Sequence, residues 1–200
     1  MTTSAFQTAD TIRAWRPTRE FQPAPVSEEL IGELLNVAVW TPSPGQREPW
    51  RFLLFMGDGK RTITEAIVRN GVKKRDPEKL MSVPAYLMVV TGPSDGEKPL
   101  QSDQDYAAAC SLIQNFRLAA WERGLGVTWV MKPFAYRPEF LAECGVSPGE
   151  RLAGLLQIGY PDAVPDAPTP SPAQHKWTVI HSAQTTEASG IYDERNDSAD

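Results

Sequence analysis

Three arginines near the start of the chain are the first residues whose type and spacing could do chemistry. Arg13, Arg16 and Arg19 lie within seven positions, and a guanidinium fork matches the oxygens of a phosphate group. The alternative is a solvated basic surface, for which Glu20 would be the local partner. Composition alone leaves both interpretations open.

A second candidate segment runs from Thr41 to Phe52 and is rich in proline, glycine and polar side chains. The prolines stiffen the backbone, whereas Ser43, Gly45 and Gln46 allow close backbone approach and offer hydrogen bonds. This combination suits a flat ligand with polar edges. A rigid loop that binds no ligand is the alternative.

Glycines mark a third segment, from Gly124 to Met131, where a predicted helix end leads into a predicted strand. An ordinary helix C-cap explains Gly124. It explains Gly126 only partly, because a glycine there also permits close packing or the approach of a ring.

The common catalytic signatures are missing from the sequence. It contains no P-loop, no G-x-G-x-x-G after a strand and no G-x-S-x-G elbow. The two histidines, His175 and His181, stand near the C-terminus, so we expect neither a histidine-based triad nor a metal site. This pattern indicates that a bound cofactor carries the chemistry.

Composition sets the broad class of the protein. Of its 200 residues 41% are hydrophobic, as expected of one globular domain with a sizeable core. The 20 basic and 25 acidic residues give a net charge of -5, which argues against nucleic-acid and membrane partners. Cys110 and Cys144 indicate neither a metal site nor a disulfide framework, and we expect a cytoplasmic protein without a signal peptide.

The positions of apolar residues predict an α+β chain of four or five strands with helices packed around them. The predicted helices cover residues 28–40 after the N-cap Ser27, 60–70, 104–123 and a short stretch from Pro138 to Gly145. The predicted strands cover residues 50–56, 85–91, 127–131 and 152–159, with a further edge strand at 178–181. A mobile loop is predicted at 71–78 and a polar loop at 93–102.

Two features predict contact with another chain. The helix at 104–123 is apolar over most of its circumference, as in a domain centre or a subunit interface. Residues 161–172 contain five prolines, so we expect an extended arm, ending near residue 177, that reaches a partner. We place one domain at residues 1–181 and a disordered polar tail at 182–200.

Four stretches of the chain, taken in order, resemble the nitroreductase family of FMN enzymes. They are the arginine-rich start with Phe21 and residues 25–30, the segment 38–52, the helical positions 105–109 and 114–120 with Gly124, Gly126 and Trp129, and the stretch 155–161. The resemblance implies a mixed four- to five-stranded sheet flanked by helices and a long central dimer helix. It also implies a homodimer with FMN at the interface and a C-terminal arm on the partner subunit.

The resemblance also implies roles for single residues. Arg19 matches the basic residue beside the flavin N1 and C2 carbonyl, where a cation stabilises the anionic reduced ring, and it is the one catalytic candidate. The other implied FMN contacts are Arg16 and Lys176 at the phosphate, Pro42, Ser43 and Gln46 from the partner subunit, and Trp129, Val130 and Met131 along the pyrimidine edge.

The chain departs from the family pattern at the phosphate site. Trp15 stands where the family has the first arginine of its clamp, and Pro17 stands where it has a serine. In the second segment Gln46 and Glu48 replace the usual Asn and Gln. Each lost charge-assisted hydrogen bond costs about 1.5–3 kcal/mol, so we expect weaker FMN binding than in a typical member unless Arg13 compensates.

The activity that the resemblance implies is transfer of a hydride from NAD(P)H through FMN to a flat, electron-poor acceptor such as a nitroaromatic or a quinone. Dehalogenation, flavin breakdown and dehydrogenation of a biosynthetic intermediate are the alternatives within the family. The altered positions Trp15 and Pro17 also leave open a flavin-free binding or structural protein.

Overall fold

The computed structural model of the chain describes residues 7–71, 76–92 and 99–179. The chain divides into two units, Met1–Ala167 and Pro168–Asp200, and the sheet lies in the first. The described helices are α1 (Gln7–Ala14), α2 (Glu28–Ala38), α3 (Lys60–Asn70), α4 (Pro77–Met81), α5 (Pro99–Glu122) and α6 (Pro138–Glu143). The described strands are β1 (Trp50–Phe55), β2 (Ala85–Thr91), β3 (Gly126–Val130) and β4 (Arg151–Gly159).

The four strands form one sheet in the order β1-β2-β4-β3, and every neighbouring pair is antiparallel. The predicted α+β class is confirmed, but the predicted mixed sheet is wrong for the described strands. The crossover through α5 makes β2 and β3 run in the same direction, and β4 lies between them in the opposite direction. The two strands that run the same way are therefore not neighbours.

Strand β2 is covered on both faces, because its side chains alternate between two hydrophobic cores. Leu87 and Val89 pack with residues of α2 and α5, whereas Tyr86 and Met88 pack with residues of α3 and α6. The continuous apolar run in the sequence predicted this two-sided burial, and all of β2 is buried.

Local signals set several helix ends. The Ser27 side chain accepts a hydrogen bond from the Leu30 N–H at 3.2 Å, which confirms the predicted N-cap of α2. Gly124, after α5, has a φ of 74°, the left-handed conformation that ends many helices. Helix α5 begins at Pro99, earlier than predicted, because proline fits the first turn of a helix.

Two helices differ from the sequence prediction. Helix α1 was not predicted, and α4 occupies the end of the predicted loop at 71–78. The Asp76 side chain accepts a hydrogen bond from the Glu78 N–H at 2.9 Å, and Pro77 opens α4. The remaining residues of that loop, 72–75, lie outside the described residues.

The predicted C-terminal features have different outcomes. Residues 162–172 form no helix or strand, and Pro161 makes an isolated bridge with Phe21. The extended course of the arm stays a prediction. Thr178 and Val179 are not in a strand, whereas residues 180–181 and the tail at 182–200 lie outside the described residues. The domain boundary at residue 181 and the reach of the arm to a partner stay predictions.

Candidate functional site

The segment that carries Arg19 is fixed to the edge strand β3 through Thr18. This threonine is buried, and its carbonyl oxygen accepts a hydrogen bond from Thr128 Oγ1. A Cβ added to Gly126 would lie 2.0 Å from Thr18 Oγ1, so only glycine leaves room for the contact. This contact explains why residue 126 is a glycine, which the helix C-cap at Gly124 did not explain.

Arg19 lines a cleft of about 400 Å³, which we call the Arg19 cleft, together with Lys79, Gln157 and three acids, Glu20, Asp76 and Asp162. Lys79 Nζ lies 3.1 Å from Glu20 Oε1, so a neighbouring carboxylate offsets its charge. No acidic group in the described part of the chain forms an ion pair with Arg19. The cleft therefore presents one guanidinium that is available to an electron-rich ligand.

Trp129, Val130 and Met131 line a neighbouring cleft of about 200 Å³, which we call the strand-end cleft. Leu80 and Gln157 line both this cleft and the Arg19 cleft. The structure thus brings together predicted site residues from two separate segments of the sequence.

Pro42, Ser43 and Gln46 line a third, open cleft of about 840 Å³, which we call the loop cleft. Trp40 also lines it and is 87% exposed. The described residues that line the loop cleft are absent from the other two clefts. Within one chain, these three predicted residues therefore do not join the rest of the predicted site.

The backbone of the loop that lines the loop cleft has an unusual conformation. Gln46 and Glu48 have positive φ angles of 52° and 47°, which residues other than glycine adopt at a cost. The Glu48 N–H donates to Ser43 Oγ at 3.2 Å, and Asn115 Nδ2 of α5 donates to Thr41 Oγ1 at 2.8 Å. These side-chain hydrogen bonds hold the loop against α5 despite its strain.

The predicted phosphate ligands lie in different parts of the chain. Arg16 Nη1 donates to the carbonyl oxygens of Arg13 at 2.5 Å and of Trp15 at 2.8 Å, so the local turn occupies one of its nitrogens. Lys176 lies in a short turn of the second unit. The role of both residues at a phosphate stays a prediction.

Sequence reasoning missed Arg117, which extends from α5 towards two tryptophans. Its guanidinium carbon lies 4.1 Å from the centre of the Trp15 ring and 6.0 Å from that of the Trp129 ring. Burial lowers the pKa of Arg117. Trp15 Nε1, Arg117 Nε and Trp129 Nε1 are buried and have no hydrogen-bond partner among the described residues. The one available signal was a basic residue within an apolar stretch of helix.

Metal clusters and membrane-spanning helices are not found in the described part of the chain. No group of three or more His, Cys, Asp or Glu side chains there could hold a metal ion. None of its helices combines the length and apolarity that crossing a bilayer requires.

Comparison with known families decides the class of the protein. The sequence profile of the nitroreductase family matches residues 12–160, a range that contains Arg19, Gln46 and Trp129. The chain belongs to the nitroreductase family.

Relatives of this nitroreductase-family chain support the assignment. YfhC of Bacillus subtilis (strain 168), provisionally named an NAD(P)H nitroreductase, is 33% identical over 182 residues, which are 86% of this chain and 93% of YfhC. A nitroreductase-like protein of Bacillus cereus superposes with a TM-score of 0.83 at 33% identity, covering 91% of this chain and 100% of that one.

A more distant solved structure shows the same fold. It is a provisionally named nitroreductase of Desulfovibrio desulfuricans in complex with FMN, with a TM-score of 0.70 at 22% identity. The match covers 87% of this chain and 97% of that one. The nitroreductase fold predicted from the four sequence motifs is therefore confirmed by sequence and by structure.

Proposed function

We propose that this nitroreductase-family protein is an FMN-dependent NAD(P)H oxidoreductase that works as a homodimer. Its acceptor in this proposal is a flat, electron-poor molecule such as a nitroaromatic or a quinone. The observation that carries the proposal is that the Arg19 cleft and the strand-end cleft meet at Leu80 and Gln157. A free guanidinium and the end of a strand thereby border one concave surface, which suits a planar ring with a polar edge.

Arg19 supplies the electrostatic part of the proposed reaction. FMN, when bound, supplies the hydride acceptor and donor that amino-acid side chains lack. The charge of Arg19 is not offset by an ion pair with a described residue, so it can act on the N1 and C2 carbonyl edge of the ring. A cation placed where negative charge develops stabilises the charged form.

The strand-end cleft supplies the opposite border of the proposed site. Among the described strands, β3 is an edge strand that pairs with β4 alone, so backbone N–H and C=O groups on its other side can bind a ring edge. Buried Phe134 provides an apolar wall, and Met131 is 61% exposed at the rim. A flexible thioether can adapt to acceptors of different shape.

A second copy of the chain completes the site in this proposal. Because the loop cleft is separate from the other two clefts, its residues need another chain if they are to contact the same ring. Val37 and Trp40, at the end of α2 and beside this loop, are 56% and 87% exposed. Large apolar side chains exposed side by side are typical of an association surface.

Helix α5 offers a further part of the proposed dimer contact. Its inner side, which includes Leu112 and Phe116, is buried in the core, whereas Ala107 and Ser111 on its outer side are exposed. Small side chains allow two helices to approach closely. This exposed side agrees with the role of a central dimer helix that the family resemblance implies.

The absorbance spectrum of the purified full-length protein tests the proposal. We expect a visible flavin band that bleaches when NADH or NADPH is added without oxygen. The band should return when a nitroaromatic or a quinone is added. Sedimentation velocity should give a dimer, and the flavin content should be one FMN per chain.

Each part of the proposal can fail separately. A colourless protein that takes up no added FMN would contradict it and would favour the flavin-free alternative. A coloured protein that neither pyridine nucleotide bleaches would contradict the NAD(P)H reaction alone. A flavin-loaded monomer would contradict the shared site.

A further inference from the structure

Arg117 is a partly buried cation that the proposed reaction does not use. No carboxylate among the described residues lies within ion-pair distance of it. Three acids on α1, α2 and α5 are engaged elsewhere: Asp10 with Arg13, Glu33 with Arg123, and Glu122 with Thr11. A partly buried charge without a counterion is costly, and its presence indicates an anionic ligand.

The neighbouring tryptophan lies against the guanidinium. The Arg117 guanidinium carbon lies over the Trp15 ring, 4.1 Å from its centre, which is a cation–π contact. Within the described part of the chain, its Nη1 alone has an acceptor, Gln114 Oε1 at 3.0 Å. The indole N–H of Trp15 adds an unpaired donor, whereas Trp129 Nε1 packs against Gly154 of β4.

The chemistry of this cluster selects its ligand. The unpaired groups of Arg117 and Trp15 are donors, so the ligand must be rich in acceptors. A phosphate monoester offers three terminal oxygens and about two negative charges near neutral pH, and its pairs with arginine are often bidentate. Arg16 follows Trp15 directly, which gives the same segment a second guanidinium.

We propose that Arg117, whose guanidinium lies over the Trp15 ring, binds the phosphate group of FMN and takes over from the family's clamp arginine that Trp15 replaces. This inference rests on the proposed function, because it requires that FMN binds. In the sequence, Arg13 is the candidate to replace the lost clamp arginine, but its exposed guanidinium lies 3.4 Å from Asp10 Oδ1. In this inference Arg117 has that role.

Titration of the flavin-free, full-length protein with FMN and with riboflavin, which lacks the phosphate, tests the assignment. Arg117→Met removes the charge and retains an unbranched stem against Trp15. We expect it to raise the Kd for FMN roughly 10- to 100-fold and to leave the Kd for riboflavin unchanged. The matched control Arg123→Met removes an exposed arginine just after α5 and should change neither Kd.

A second variant keeps the test valid if the first one fails to fold. Arg117→Lys retains the charge but loses the planar fork, so we expect a loss of FMN affinity of roughly tenfold without a loss of riboflavin affinity. The thermal midpoint of the ligand-free Arg117→Met protein should stay the same or rise, because an unpaired cation has been removed from a partly buried position.

The outcomes separate this inference from the proposed function. Equal losses of FMN and riboflavin affinity would show that Arg117 only supports the packing of Trp15, and unchanged FMN affinity would show that it does not bind the phosphate. Either result overturns the inference and leaves the proposed function standing. A wild-type protein that binds neither flavin overturns both.

Discussion

Thr18 Oγ1 occupies the space that a side chain at Gly126 would need, since a Cβ built at that glycine lies 2.0 Å from it. The hydrogen bond from Thr128 to the Thr18 carbonyl oxygen joins the same two segments. Together these contacts fix Arg19, the next residue, relative to the end of β3. Arg19 and the end of β3, the two borders of the proposed flavin site, are therefore held together through Thr18.

Gly126→Ala is expected to weaken both the fold and the site. The added methyl group must displace Thr18, and such overpacking typically costs about 1–3 kcal/mol. Urea unfolding should show this loss, and titration with FMN should show a raised Kd because Arg19 moves with Thr18. The control Gly32→Ala meets no atom within 4 Å in α2 and should gain about 0.5–1 kcal/mol. A Gly126→Ala protein as stable as the wild type would mean that Thr18 moves freely.

This contact also shows where sequence reasoning stopped. The Ser27 cap and the turn at Gly124 were predicted because their partners lie within a few residues. The contact between Thr18 and Gly126 was not predicted, because the two residues are distant in sequence and neither type is unusual alone. The mixed sheet that the family resemblance implied is wrong for the described strands, and the place of β4 between β2 and β3 depends on non-local pairing that no local pattern predicts.

The candidate site was predictable only where a motif carried it. Arg19 and Trp129 were found through the family motifs, and the structure places them at clefts that share lining residues. Arg117 was missed because its significance depends on Trp15, which meets it only in the folded chain. Within one chain the loop cleft is separate from the clefts that Arg19 and Trp129 line. The proposed role of Gln46 at the flavin therefore requires a second copy of the chain.

Arg19→Met is expected to slow reduction of the bound flavin by NAD(P)H. Without the guanidinium, the negative charge of the reduced ring loses its electrostatic partner, and removal of one such group typically lowers the rate roughly 100-fold. Anaerobic stopped-flow absorbance measures this rate, and the reduction potential of the flavin should fall in parallel. Arg61→Gln, at an exposed pair with Asp58, should leave both unchanged. An unaltered potential in Arg19→Met would refute the placement of Arg19 beside the ring.

The pair of Arg51 and Glu150 is expected to make stability depend on acid pH. Arg51 Nε lies 2.6 Å from Glu150 Oε1, and the Ser147 N–H donates to Glu150 Oε2 at 2.7 Å. The hydrogen bond from Arg51 is the main reason that the pKa of Glu150 falls to about 2. Since the folded pKa lies below the unfolded value, the stabilisation is present above about pH 4.5 and is lost as pH falls towards 2.

Glu150→Gln tests this pH dependence. We expect a loss of about 2 kcal/mol at pH 7, with allowance for solvent at the partly exposed Arg51. The difference from the wild type should shrink as the pH falls from 4.5 towards 2. Urea unfolding across this range measures both effects. Glu65→Gln, in an exposed pair with Arg69, should cost less than about 0.5 kcal/mol. A difference that stayed constant with pH would contradict the role of the Glu150 charge.

Gln46→Asn is expected to stabilise the loop that contains residue 46, and with it the folded protein. Gln46 has a φ of 52°, and Asn tolerates this left-handed region better than Gln because its short side chain bonds locally. We expect the free energy of unfolding to rise by about 0.5–1 kcal/mol, as measured by urea unfolding of the flavin-free protein. Gln104→Asn, within α5, should instead lower the free energy of unfolding by about 0.3 kcal/mol, because Asn is the poorer helix former. If both substitutions lowered stability alike, the backbone of Gln46 would not be strained. The family's usual Asn at this position would then need a different explanation, through a direct contact of its amide with the ligand.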